Sequence, residues 1–75
     1  MDRREVVRIR EICQEVDFLV SEDPGTADLE VLERYRLKMN DKLYHHQWHE
    51  AEAAAYALMF LRSGDNESLM VLDGL

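Results

Sequence analysis

Seventy-five residues make one domain at most, and a chain this short hides only about 60% of its unfolded surface, so its core needs a disulfide, a metal or association to help it. A single cysteine, Cys13, excludes an internal disulfide. The net charge of −7 argues against duplex nucleic acid as a ligand, because phosphate neutralisation takes a basic surface.

The first helix spans 2–21. Asp2 is placed to cap it, Glu5 stands three residues later, and Met1 can staple onto Val6. Val6, Ile9, Cys13, Val16 and Val20 recur at alternating three- and four-residue steps, with Ile12 and Leu19 widening the stripe. Val7 and Phe18 fall on the opposite face beside Glu11 and Gln14. Cys13 lies within the apolar stripe, where a buried reduced thiol is expected. One cysteine and no signal-like start point to a reducing, cytoplasmic compartment.

The stretch 22–26 is a turn: Pro24 ends the helix, Gly25 permits the reversal, and Thr26 or Asp23 offers the next cap. A connection this short makes its two helices antiparallel neighbours. The following segment has no Gly or Pro until Gly64 and reads as one long helix, 27–62. The alternative is a bend or break at Asn40-Asp41, which would give a three-helix bundle.

Two apolar seams run along that segment. Leu29, Leu32, Met39, Leu43, Ala53, Ala57 and Phe60 form the first. Leu37, Tyr44, Trp48, Ala51, Ala55 and Leu58 form the second, roughly 100–140° round the helix. The short first helix covers only one seam and ends beside His46, so 53–61, apolar almost all round, overhangs it. Gly64 stops the helix, and 65–75 holds a short terminal element carrying Leu69, Met70 and Leu72 that can fold back over 53–61.

Charge alternates along the chain. Residues 1–10 carry four arginines and two acids, 11–33 eight acids and no base, and 34–49 four bases and one acid. Such a pattern suits cross-helix pairing, with Glu11 and Glu15 near Arg34, Arg36 and Lys38, and with Arg3 or Arg4 near Glu50. Each surface pair contributes only a few tenths of a kcal/mol.

Candidate chemistry is sparse. His45 and His49 are four apart, so on a continuous helix they share a face with Asp41 and Glu52 and form the one weak candidate for a metal. The zincin spacing is missing, because His46 stands where its glutamate would be. The sequence has no Gly-rich phosphate loop, no Cys-x-x-Cys and no nucleophile–histidine–acid set, so no catalytic residue, cofactor or small-molecule substrate is assigned.

The expectation is therefore an all-α helical hairpin with an extended second arm and a short C-terminal element. It dimerises into a four-helix arrangement through the 44–61 surface, with Leu37, Tyr44, Trp48, Ala51, Ala55, Leu58 and Met59 as interaction residues. The functional expectation is a non-enzymatic, acidic regulator, adaptor or inhibitor that binds a larger protein machine stoichiometrically. Transcription or defence machinery, including that met by a virus or mobile element, is a natural target. The alternatives are a DNA-associated regulator using the arginine-rich segments and a His-based metal-binding protein.

Overall fold

A computed structural model describes residues 2–75. Met1, and with it the expected staple onto Val6, lies outside them. Four helices follow one another: α1 (Arg3–Glu22), α2 (Leu29–Tyr44), α3 (Trp48–Arg62) and α4 (Ser68–Asp73). No strand occurs among the described residues.

The Asp2 carboxylate accepts from the Arg4 amide at 2.9 Å and opens α1. The helix buries Ile9, Cys13, Val16 and Val20, four members of the expected stripe. Asp23 closes it, and Gly25, at φ +66°, turns the chain. The cap of α2 is Asp28, whose carboxylate accepts from the Glu30 and Val31 amides. Neither Thr26 nor Asp23 takes that position.

The long helix expected over 27–62 is two helices, and the break falls five residues beyond Asn40. α2 ends in a Schellman motif: the His46 amide bonds the Leu43 carbonyl at 3.1 Å and the Gln47 amide bonds Lys42 at 2.9 Å. The motif requires one left-handed residue, and His46 supplies it at φ 59°. The same motif ends α3, where Gly64 at φ 96° bonds Leu61 and Asp65 bonds Phe60. Glycine made the second stop visible in the sequence. Histidine, which adopts this conformation more readily than most side chains, left the first one unmarked.

The break lets α3 fold back into the middle of the molecule, where it packs against α1, α2 and α4. Its alanines make this possible. Ala51, Ala54 and Ala55 are fully buried, and with only a methyl group each they let neighbouring helices approach closely. Ion pairs and hydrogen bonds fix the register. Arg8 meets Glu52 at 2.9 Å, the Cys13 thiol points at the Ala51 carbonyl at 3.7 Å, and Arg62 reaches Asp23. Along the other seam Arg36 joins Ser21 and Asp17, and Asn40 donates to Asp17. The partners thus differ from those expected: Asp17 takes the place of Glu11 and Glu15, and Arg8 with Glu52 that of Arg3 or Arg4 with Glu50.

α4 has six residues, too few to hold a helix alone. It is secured by burial of Leu72 and Ser68, by a hydrogen bond from the Tyr35 hydroxyl to the Asp73 carboxylate, and by Lys38, which donates to the Leu72 carbonyl at 2.8 Å. The terminal element therefore closes the core over α2 and α3. The whole chain exposes 5029 Å², close to the roughly 4,800 Å² that surface scaling gives for a folded monomer of this mass.

Candidate protein-interaction surface

Folding α3 inward divides the second seam. Ala51, Ala55 and Leu58 lie in the chain's own core and are closed to any partner. Leu37 and Tyr44, on the outer face of α2, stand open, Tyr44 at 80% exposure. Met59 is half-buried against the core. Trp48 is also half-buried and is engaged within its own chain: the His46 ring stacks on it at 4.9 Å and 13°, and the Arg10 guanidinium sits 5.3 Å from the ring centre. Tyr44 meets His45 edge-on. The seven expected interaction residues consequently do not share one surface.

The histidine pair is separated in the same way. His45 caps the end of α2 beside Asp41, at 3.4 Å, while His49 lies in the first turn of α3. With the helix broken between them, the shared face that would have made them co-ligands is gone. Among the described residues no group of three or more His, Cys, Asp and Glu side chains is arranged to hold a metal ion. Three of the basic residues are engaged within the chain: Arg8 is paired with Glu52, Arg36 with Asp17 and Glu33, and Lys38 is bonded to the Leu72 carbonyl.

The buried titratable groups are held neutral. Burial, and secondarily the Glu52 carboxylate, pushes the Cys13 thiol up to about 11, which disfavours the nucleophilic thiolate. The Tyr35 hydroxyl is raised, chiefly by its hydrogen bond to Asp73 and then by burial.

Further exposed apolar surface lies on α3 and α4. On the outer side of α3, Ala53, Tyr56 and Phe60 follow at three- and four-residue steps and form a stripe opposite the buried alanines. α4 lies alongside with Val71, and Ala57 lines the gap between them. Together these residues line a groove of about 350 Å³ whose remaining walls are Asp65, Glu67 and Ser68. Phe60 is 57% exposed and Tyr56 48%. In the sequence Phe60 belongs to the first seam, and both it and Tyr56 fall in the 53–61 stretch that the first helix leaves uncovered. The signal that pointed here was the all-round apolarity of 53–61, which a helix covered on three sides and open on the fourth accounts for.

A second exposed apolar site lies on α1, where Phe18, 64% exposed, and Leu19 stand among Glu11, Gln14 and Glu15. These five line a shallow depression of about 490 Å³ and all belong to one helix, whereas the α3/α4 groove is drawn from two helices and their connection. Among the described residues no helix is long and apolar enough to cross a membrane. Comparison of the chain with protein-family models, with curated proteins and with solved structures found no match.

Proposed function

We propose that this protein is a small acidic protein-interaction module of the cytoplasm that acts stoichiometrically, as a regulator, adaptor or inhibitor of a larger assembly, and not as a catalyst. The observation that carries this reading is the groove of α3 and α4. Two aromatic side chains, a valine and two alanines line a concavity on a molecule whose core is already closed. Exposed apolar surface gathered in one concavity marks an interaction site more often than scattered apolar residues do. The raised Cys13 thiol and the separated histidines support the same reading, because neither is arranged for chemistry.

A protein of another sequence fits better as the partner than a second copy. The residues expected to build a homodimer are partly consumed by the monomer's own core. Affinity capture of the tagged chain from the cells that naturally express it, followed by mass measurement of the intact complex, tests the proposal. The expected result is a complex of fixed stoichiometry with a larger protein. Recovery of the chain alone across a range of salt concentrations would refute it.

A further inference from the structure

We infer that the α3/α4 groove receives a basic amphipathic helix from the partner protein. This deepens the interaction reading and rests on it. The floor is apolar, made by Ala53, Tyr56, Ala57, Phe60 and Val71, and the charged groups in the lining, Asp65 and Glu67, are both acidic. Neither carboxylate forms an ion pair among the described residues, whereas Arg8, Arg36 and Arg62 are each already paired with an acid. Glu50, one turn before Ala53 on α3, is exposed and adds to the same sign.

A helix with apolar anchors at i, i+3 or i+4 and i+7 matches an apolar trough of this kind. Lysine or arginine on the flanks of that helix would meet Asp65, Glu67 and Glu50, and such complementarity selects partners and rejects like-charged ones. The same charges oppose a symmetric contact of the groove with itself, since a two-fold axis would bring acidic rim against acidic rim.

The test uses two synthetic helical peptides with one leucine pattern, the flanking positions all lysine in one and all glutamate in the other. Each is titrated into the full-length chain while the methyl signals of Ala53, Ala57 and Val71 are followed by NMR. The lysine peptide is expected to shift these three methyls and to bind more weakly as salt rises; the glutamate peptide leaves them unmoved. Phe60→Ala is expected to weaken the lysine peptide roughly tenfold, as loss of a central aromatic anchor does. Phe60 is largely exposed, so circular dichroism should find the variant folded. Glu67→Lys reduces binding of the lysine peptide and raises that of its acidic counterpart.

Equal binding of the two peptides, no binding, or shifts confined to the Phe18 face would overturn the assignment. So would a doubled mass of the free chain that Phe60→Ala abolishes, since the occupant would then be a second copy. If the groove fails these tests while the fixed-ratio cellular complex still forms, the interaction reading stands and only this site falls. Absence of any such complex removes the interaction reading itself.

Discussion

Arg62 holds Asp23 by two contacts: its Nε donates to the Asp23 carbonyl at 2.6 Å, and its Nη2 meets the Asp23 carboxylate at 2.8 Å. The end of α3 is thereby fastened to the turn that follows α1. Gly25 lies inside this junction, where a Cβ would collide with the Arg62 carbonyl oxygen, and its φ of +66° already disfavours a side chain. Gly25→Ala should destabilise the fold by about 1–3 kcal/mol, from left-handed strain and the displaced carbonyl. Gly74, with ordinary φ and only van der Waals neighbours, should accept alanine with almost no change. Thermal melts of the two variants check this contrast.

The turn between α2 and α3 depends on His46 in the left-handed conformation. His46→Val places a β-branched side chain there and should cost about 1–3 kcal/mol. His46→Gly removes the backbone strain but also the ring stacked on Trp48, and should remain within about 1 kcal/mol of the parent. Urea denaturation measures both, and Trp48 emission reports the lost stack in each.

Alanine size is a packing requirement on one side of α3 and not on the other. Ala54→Leu or Ala55→Leu forces extra methylenes into a fully buried position and should destabilise by about 1–3 kcal/mol. Ala53→Leu, facing the groove, should leave the melting temperature nearly unchanged while altering whatever binds there. Calorimetry of the three variants distinguishes the two faces.

Stability should fall in alkali. The folded state keeps the protons of the Cys13 thiol and the Tyr35 hydroxyl at pH values where the unfolded chain releases them. For Cys13 this contribution is complete below about pH 9, the ordinary value, and is lost as pH rises from there to about 11. Tyr35 adds a loss of the same sign above pH 10, its ordinary value. Urea midpoints at pH 7.5, 9 and 10.5 should decline, and Cys13→Ala should flatten the part of the decline that begins near pH 9.

The fastening of α4 is a separable element. Tyr35→Phe removes the hydroxyl bonded to Asp73 and should cost about 1.5–3 kcal/mol, the range for hydrogen bonds to charged groups. Hydrogen exchange is expected to speed up in Ser68–Asp73 and to change little in α1. Uniform acceleration across all four helices would show that α4 is integral to the global fold and not a local closure.

What could be read in the sequence divides along physical lines. The stripe Ile9, Cys13, Val16 and Val20, the Asp2 cap and the Gly64 stop each rest on a local rule that packing did not override. The terminal element folds back over α3, as its apolar residues allowed. The turn at 45–47 was hidden because its left-handed residue is a histidine and no glycine or proline stands nearby. Missing that turn carried Ala51, Ala55 and Leu58 onto an outer surface when they belong inside. Tyr56 and Phe60, both in the stretch 53–61 expected to overhang the first helix, stand on the groove.

The most direct measurement is hydroxyl-radical footprinting of the chain alone and within its isolated cellular complex. We expect Tyr56 and Phe60 to be strongly labelled when free and protected in the complex, while Phe18 and Tyr44 are labelled equally in both. Unchanged labelling of Tyr56 and Phe60 on complex formation, or protection confined to Phe18 and Tyr44, would contradict a docking role for the α3/α4 groove.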